Sequence, residues 1–325
     1  MIRSTNKKLG EYDLAKAPKH VADVWSAISR ALPEYWKRFV DGERGADPAA
    51  QLATKFKTTG AKRATDREVL APVFERALVD YEKEAQKYRS FFDPGAMEEF
   101  QDDPNSFKQG LRSDVPVIAR TLRQPRPELA EWQKHFKIAK GKDLLEIFAN
   151  VLDFTAEWIG NHPPAAYRDL DDPAAFGLDP LDDDETMSMQ NVVGMGIKSI
   201  VLYHLHPDRL PPRGRDGLYG LYFLSGRGAF GLPSGSSEFL MVNDLNPVSD
   251  GSLVMDQNYW YPYGLYSLYA LRVCKWMEQR LEEAGMVLDQ SMRYVYVDRF
   301  FEAVCDSHQA DLKTMRAHER FEIPA

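Results

Sequence analysis

The decisive stretch of this chain reads Val192-Val193-Gly194-Met195-Gly196-Ile197-Lys198-Ser199 and places two glycines between two apolar runs. The run before it spans 187–193, and the run after it spans 200–205. The pattern predicts a helix that ends, a sharp reversal and a second helix. Glycines accept positive φ, and they would leave the first N–H groups of the second helix open to an anion such as a phosphate.

This stretch resembles the helix-hairpin-helix element of DNA-repair glycosylases and related DNA-binding proteins. The hairpin of that family reads apolar, any residue, Gly, apolar, Gly, any residue, Lys, then Ser or Thr, and its amides hold a backbone phosphate, often with a monovalent cation. The resemblance implies that Gly194, Gly196 and Lys198 supply these amides. In members with lyase activity the hairpin lysine is the nucleophile and an aspartate eighteen positions later assists it, which implies Lys198 and Asp216 here.

Four arginines follow the hairpin in a chain otherwise short of positive charge: Arg209, Arg213, Arg215 and Arg227. Guanidinium groups make bidentate contacts with phosphate. The predicted nucleic-acid-binding residues are therefore Gly194, Gly196, Lys198, Ser199 and these four arginines. In the alternative interpretation, the arginines pair with a nearby acidic stretch, and the hairpin is an ordinary corner between helices with Lys198 solvated.

The composition is that of a globular protein without a general affinity for nucleic acid. The 325 residues are 44% hydrophobic, and the formal net charge is −8. Such a chain fills a core but lacks the basic field that drives non-specific binding, although a local basic face remains compatible with it. Cys274 and Cys305 indicate thiols in a reducing compartment. Since no apolar run has membrane-spanning length, we expect a soluble, cytoplasmic protein that does not enter a membrane.

Apolar stripes of helical period dominate the sequence. They predict a mainly α fold with at most a small β component, near 239–242 and 293–297. A stripe from Val21 to Leu32 predicts one helix, and Pro33 is expected to open a second, short one. Thr65 and Glu68 form a capping-box pattern at the start of a further helix.

Three regions follow from these stripes. They are an N-terminal helical region at 1–165, an acidic linker at 166–186, and a hairpin-containing helical region with an aromatic C-terminal part at 187–325. The linker holds eight carboxylates between 169 and 185 but has prolines where a calcium loop needs glycine, so we expect solvated acids and no metal. Most aromatic residues are expected in the core, with Tyr261 and Tyr263 as exposed exceptions.

Two functions of different classes agree with these observations. The first is a nucleic-acid-binding protein of DNA repair or defence that contacts backbone phosphate, with glycosylase- or lyase-like chemistry at Lys198 and Asp216 if it is catalytic. The second is a non-catalytic subunit whose acidic surface and aromatic C-terminal region bind another protein. Residues 226–231 fit the nucleotide-binding pattern G-x-G-x-x-G, but the Pro- and Ser-containing stretch that follows cannot start the helix that such a loop needs. Since no metal-ligand motif is present either, no cofactor is expected.

Overall fold

A computed structural model describes residues 11–46, 64–126, 129–233, 237–243 and 254–317. The prediction of a mainly helical fold is confirmed. The α-helices are α1 (Glu11–Ala15), α2 (Pro18–Ala46), α3 (Asp66–Phe91), α4 (Pro94–Asp102), α5 (Pro104–Ser113), α6 (Pro116–Arg123), α7 (Ala130–Ile138), α8 (Gly141–Asn161), α9 (Pro164–Arg168), α10 (Asp179–Asp183), α11 (Met195–Leu205), α12 (Arg215–Leu224), α13 (Tyr263–Glu283), α14 (Arg293–Asp306) and α15 (Gln309–Ala317). Short 3-10 turns span Pro173–Phe176, Glu185–Met187 and Gln290–Met292. The strands β1 (Leu240–Asn243) and β2 (Val254–Gln257) pair antiparallel, with Leu240 opposite Gln257.

Helix α2 is one long helix rather than two. Pro33 lies inside it, so the prediction that a second helix opens there is wrong. A proline in a helix interior removes a backbone hydrogen bond and crowds the preceding turn. The buried stripe nevertheless continues through this point, from Ile28 and Leu32 to Trp36. Because tertiary packing of that face supplies most of the stability of a helix, the two halves remain joined.

Helix α3 begins at the predicted capping box, which is confirmed. The Thr65 hydroxyl accepts a hydrogen bond from the Glu68 N–H at 3.3 Å, and the Glu68 carboxylate accepts one from the Thr65 N–H at 2.8 Å. This reciprocal pair satisfies two of the amides that a helix start leaves without partners.

One of the two predicted β segments is helical. Strand β1 confirms the prediction near 239–242, but residues 293–297 begin α14. Tyr294, Val295 and Val297 are all buried there, because core residues surround this helix. The four consecutive buried residues 294–297 show no helical stripe over so short a run, so the β-branched valines among them imitate a strand.

The 166–186 stretch is packed against the core. Tyr167, Phe176 and Leu181 are fully buried in the larger of two hydrophobic cores. Two of its acids make ion pairs, Asp171 with Arg272 at 2.8 Å and Asp179 with Lys16 at 2.9 Å. Most of the acids are exposed as expected, namely Asp169, Asp171, Asp172, Asp183 and Glu185, but the stretch is not an unpacked linker, because apolar residues between the acids anchor it.

The two cores do not follow the predicted regions. The larger contains side chains of α2, α3, α8 and α11 to α14, and the smaller is built from residues between 88 and 148 together with Val192, Val193 and Val201. Residues before 165 thus contribute to both cores, and so do residues after 187.

Candidate nucleic-acid interface and central cleft

The segment before α11 is a turn and not a helix. Residues 188–193 fold back on themselves, the Met189 N–H donates to the Val193 carbonyl at 3.1 Å, and Asn191 takes a φ of 62°. The first helix of the predicted hairpin is therefore absent, because a left-handed residue and a closing bridge interrupt it. The second helix is present as α11, which starts directly after Gly194.

The two hairpin glycines face solvent at the start of α11. Gly194 has a φ of −109°, and neither Gly194 nor Gly196 lies in the left-handed region, so the predicted need for positive φ is wrong. Both are exposed, and a Cβ built on either meets no atom of the described residues within 4 Å. A ligand can therefore approach this helix start closely.

Lys198 points into the protein. It is 1% exposed, and its Nζ donates to the Leu181 carbonyl and, at 2.8 Å, to the Ser188 hydroxyl. Its backbone N–H donates to the Gly194 carbonyl at 3.1 Å. Neither its ammonium nor its amide is available to a phosphate, so that prediction is wrong. Burial lowers the pKa of Lys198 to about 8, and the attraction of Asp182 opposes this shift.

Asp216 lies in other surroundings than Lys198. The charges that act on Lys198 are those of Asp182, Arg213, Asp184 and Asp183, whereas Asp216 acts on Asp298, Glu302 and Cys305. The predicted lysine–aspartate catalytic pair is therefore wrong. Lys198 belongs to the first turn of α11 and is buried, whereas Asp216 belongs to the first turn of α12, is exposed and lines the cavity described below.

Arg213 is buried beside Lys198. It is 3% exposed, and its guanidinium donates to the carbonyls of Tyr261 and, at 2.8 Å, of Tyr259. Burial lowers the pKa of Arg213, and Asp182 opposes this shift. Asp182 itself accepts from the Tyr263 N–H at 2.7 Å. We call Asp182, Lys198 and Arg213 the buried charge cluster; it joins the 181–188 stretch, α11 and the start of α13, and the prediction that Arg213 binds phosphate is wrong.

Arg209 and Ser199 also have structural partners. Arg209 donates to the carbonyls of Ile159 at 3.1 Å and of His162 at 3.0 Å, and so satisfies the end of α8. Ser199 is fully buried, and its hydroxyl donates to the Gly196 carbonyl at 3.4 Å. Their predicted phosphate contacts are wrong, since both side chains are already engaged inside the protein.

Arg227 lies near the C-terminal end of α12, away from the hairpin. Its guanidinium pairs with Asp311 of α15, and its side chain is 45% exposed. Of the arginines in the predicted set, Arg215 alone lines a cavity together with Asp216.

That cavity is a cleft of about 710 Å³, which we call the central cleft. It opens between α2, α3, α6, α11, α12 and α14. The start of α12 forms one part of its wall, with Gly214 and Gly217 beside the charged residues. The charged side chains that line it are Glu43, Arg76, Asp80, Glu84, Arg120, Arg215, Asp216, Asp298, Arg299 and Glu302.

Some of these charges are paired within the cleft. Arg120 holds Glu84 with two hydrogen bonds, at 3.0 and 2.5 Å. Arg299 pairs with Glu43 and approaches Glu302 at 3.4 Å. Arg76 is exposed at the rim. The cleft therefore offers both cationic and anionic groups to a ligand.

Three carboxyls meet on the α14 side of the central cleft. Asp298 and Glu302 are one turn apart on α14, and Asp216 approaches from α12. Burial raises the pKa of Asp298 well above its usual value, and the charges of Glu302 and Asp216 raise it further. Burial also raises the pKa of Glu302, Arg299 opposes this shift, and the charge of Asp216 adds to it. Carboxyls with raised pKa values in a cleft are suited to donate or accept protons.

His204 closes one side of the central cleft. Its ring stacks between Tyr81 and Tyr88, with centroid distances of 5.5 and 4.1 Å. Burial lowers the pKa of His204, and a hydrogen bond to the Ile200 carbonyl opposes this shift. The residue thus contributes an aromatic, mostly uncharged wall. In the described ranges, no three His, Cys, Asp or Glu side chains are arranged to hold a metal ion.

Sequence reasoning selected Asp216 and Arg215 but missed Asp298 and Glu302. The signal was available, because two carboxylates spaced i, i+4 interrupt an apolar run and share one face if that run is a helix. The interpretation of 293–297 as a strand concealed this face.

The exposed aromatic residues of this segment are not the two that the sequence predicts. Tyr261 and Tyr263 are fully buried, whereas Tyr259 and Trp260 are each 41% exposed. The Tyr261 hydroxyl donates to Glu238 at 2.6 Å, and that of Tyr263 to the Pro211 carbonyl at 2.9 Å. The expected exposure of Tyr261 and Tyr263 is therefore wrong, since both hydroxyls find partners inside the core.

Comparison with protein families, with curated proteins and with solved structures finds no match to this chain. Across the part of the chain that the structure describes, no helix combines the length and the apolar character that crossing a bilayer requires.

Proposed function

We propose that this protein binds a nucleic-acid strand at the start of α11 and takes a nucleotide of that strand into the central cleft. The observation that carries the proposal is the alignment of Gly196, Ile200 and His204. These residues are spaced i, i+4, i+8 and share a face of the helix. The face begins at the exposed helix start and ends in the cleft, which Ile200 and His204 line.

The start of α11 supports a phosphate contact at one end of this face. Unpaired N–H groups and the helix dipole make a helix start a site for anions. The exposed Gly194 and Gly196 leave this start uncovered.

The mixed charge of the central cleft supports a nucleotide as its occupant. A nucleotide carries an anionic phosphate and a base whose edge both donates and accepts hydrogen bonds. Arg76 and Arg215 line the cleft with guanidinium groups that suit the phosphate. Asp216 and Asp298 have carboxyls that can accept hydrogen bonds from the base edge. Because the pKa of Asp298 is raised, its protonated form can also donate one.

The spacing of the two ends fits one strand. Gly196 and His204 are eight residues apart on α11, which corresponds to about 12 Å along its axis. Phosphates of one B-form strand follow each other every 3.4 Å or so along the duplex axis, so roughly three to four nucleotides span the distance. The proposal assigns proton transfer to Asp216 and Asp298 and no covalent step to Lys198.

Fluorescence anisotropy with labelled single-stranded and duplex DNA tests the proposal over a range of salt concentrations. We expect binding by the parent protein to weaken with salt. Gly196→Glu places a negative charge at the helix start and should abolish binding, whereas Gly160→Glu adds the same charge at an exposed glycine of α8 and should not.

Arg215→Gln separates a cleft contact from a general effect of charge. It should weaken binding and make the logarithmic salt slope shallower by about one, because one phosphate contact is lost. Arg168→Gln removes an equal charge on α9, outside the central cleft, at a side chain that is 50% exposed, and should leave both quantities unchanged. Equal effects of the two substitutions, or a parent protein without affinity at low salt, would contradict the proposal.

A second candidate, a protein-binding subunit, is favoured by one observation. Tyr259 and Trp260 are adjacent, aromatic and each 41% exposed, and such residues are enriched at interfaces. If the parent protein has no affinity for nucleic acid, Trp260→Ser should reduce the capture of a protein partner, while Val287→Ser, at an 88% exposed position, should not.

A further inference from the structure

A tyrosine, a histidine and an aspartate form a connected chain outside the central cleft. The Tyr35 hydroxyl lies 2.7 Å from Nε2 of His308. Nδ1 of the same ring lies 2.8 Å from Oδ2 of Asp311. Tyr35 belongs to α2, whereas His308 directly precedes α15 and Asp311 lies in its first turn, so two separate segments supply the chain.

The histidine ring of this chain is held in one orientation. Phe223 stacks on it with a centroid distance of 4.0 Å and an interplanar angle of 9°. The side chain of His308 is 13% exposed and that of Asp311 is 40% exposed. The hydrogen bond from His308 holds the pKa of Asp311 below its usual value, so Asp311 stays ionised. Asp311 Oδ2 lies closer to Nδ1, at 2.8 Å, than Arg227 Nη2 does, at 3.3 Å, so the carboxylate favours the proton on Nδ1 and Nε2 is then the acceptor for the Tyr35 proton.

Two arginines place positive charge around the Tyr35 hydroxyl. The Arg38 guanidinium lies 5.2 Å from the centre of the Tyr35 ring, and Arg227 donates to Asp311. Burial raises the pKa of Tyr35, while Arg38 and Arg227 act to lower it. Both arginine side chains are about half exposed, at 49% and 45%, so an anion can approach them from solvent.

We propose that Tyr35 is a nucleophile toward phosphate esters, with His308 as its general base and Asp311 as a positioning residue. A nucleophile within hydrogen-bond reach of a base, whose other nitrogen is oriented by a carboxylate, is the arrangement that activates weakly acidic hydroxyl groups. Arg38 and Arg227 supply the cationic surroundings that favour an anionic ester. The inference is independent of the proposed function, since none of these residues lines the central cleft.

The step balances within the groups named. Tyr35 Oη forms a bond to phosphorus, the bond from phosphorus to the leaving oxygen breaks, and the leaving group departs with the electron pair. The phenol proton passes to Nε2 of His308 and then to the leaving oxygen or to water. The product is a phosphotyrosyl diester at Tyr35.

The reaction is tested with bis(4-nitrophenyl) phosphate, an activated phosphodiester anion. Intact-mass spectrometry and peptide mapping should locate a 4-nitrophenyl phosphate adduct on Tyr35, with one equivalent of 4-nitrophenolate released. Tyr35→Phe should abolish the adduct, and His308→Gln should slow its formation by about a hundredfold. Tyr222→Phe is the matched control, because Tyr222 feels the same Arg227 and Asp311 charges in the absence of a hydrogen bond to His308 among the described residues.

The positioning role of Asp311 has its own readout. Asp311→Asn should slow adduct formation, and Asp311→Glu should restore much of the rate. If Asp311 only stabilised the position of α15, the substitutions would change the melting curve and not the rate. Circular dichroism of each variant separates loss of fold from loss of reaction. Labelling of Tyr35 in the parent protein no faster than that of Tyr222 would overturn the proposal, whatever the variants do.

Discussion

Two groups of charged residues, the buried charge cluster and the three carboxyls of the central cleft, lie in opposite surroundings. The buried charge cluster encloses Lys198 and Arg213 beneath the 181–188 stretch. The three carboxyls of the central cleft face a cavity that a ligand can enter. Lys198 and Asp216 both carry an ionisable side chain, yet Lys198 is buried and Asp216 is exposed.

The difference shows that burial decides whether a charged residue stabilises the fold or meets a ligand. In the buried charge cluster the two cations share Asp182 and several backbone carbonyls, so their hydrogen-bonding capacity is largely used. In the central cleft burial and the like charges of Glu302 and Asp216 raise the pKa of Asp298, and Arg299 opposes them. The predictions below test these two descriptions.

Lys198→Met should have the largest effect. It removes the ammonium that binds the Leu181 carbonyl and the Ser188 hydroxyl, and it leaves the charge of Asp182 with Arg213 alone. Loss of one partner from a buried charged group typically costs about 3 kcal/mol, which we expect in the free energy of unfolding measured with denaturant. Lys19→Met, at a 93% exposed side chain, should change it by less than about 0.5 kcal/mol.

An equally small effect of both substitutions would show that the ammonium contributes nothing inside the fold. In that case the contacts of Lys198 would be replaceable, and the description of the cluster as a structural element would fail.

The contribution of Lys198 to stability should depend on pH and increase as the pH rises. The pKa of Lys198 is about 8 in the folded protein, whereas an unfolded lysine titrates near about 10.4. Between these values the unfolded state binds more protons, so stability from this group rises with pH. The difference between the parent protein and Lys198→Met should therefore grow by about 2 kcal/mol from about pH 7 to about pH 9.5.

Denaturant unfolding of both proteins at the two pH values measures this growth. A constant difference would mean that Lys198 titrates like an exposed lysine, and Lys19→Met provides that reference.

Much of the helical framework was predictable, and the reason is local. Thr65 and Glu68 interact within one turn of helix, so their pattern determines the start of α3. The interruption at Pro33 and the strand-like 293–297 were misread because packing from distant segments overrides local preference there. Local rules describe a helix best where one side of it faces water.

The candidate site was predictable only in part. Asp216 was found through a resemblance that paired it with Lys198, but its real neighbours on α14 come from residues more than 80 positions later in the sequence. The burial of Arg213 depends on carbonyls of Tyr259 and Tyr261, which no spacing rule connects to it. Long-range contacts of this kind decide the function of a charged side chain.

Asp298→Asn should stabilise the protein, by about 1 kcal/mol near neutral pH. The pKa of Asp298 is raised, so the folded state keeps a proton that the unfolded state releases near about pH 3.9, and stability from this group falls as pH rises. The advantage of the variant should therefore vanish at about pH 4 and be complete near neutral pH. Asp80→Asn, which removes a 65% exposed carboxylate near Lys83, should give no such advantage.

Destabilisation by Asp298→Asn at neutral pH would contradict the description of the cleft carboxyls as mutually repelling. It would indicate that Asp298 is held by a favourable charge in the folded protein.

Gly196→Ala should have the smallest effect, a gain of about 0.5 kcal/mol. Gly196 lies in the first turn of α11, outside the left-handed region, and a Cβ there meets no described atom within 4 Å. Alanine restricts the unfolded chain more than glycine does, so folding alone favours alanine at this position. Gly194→Ala should instead lose a few tenths of a kcal/mol, because glycine is the better residue at a helix N-cap. Urea unfolding of the two variants beside the parent protein measures both signs. A loss of stability in Gly196→Ala would mean that the added methyl group meets an obstacle and that the fold needs this glycine. The expected gain would mean that the fold does not need it, which agrees with a role in the close approach of a ligand.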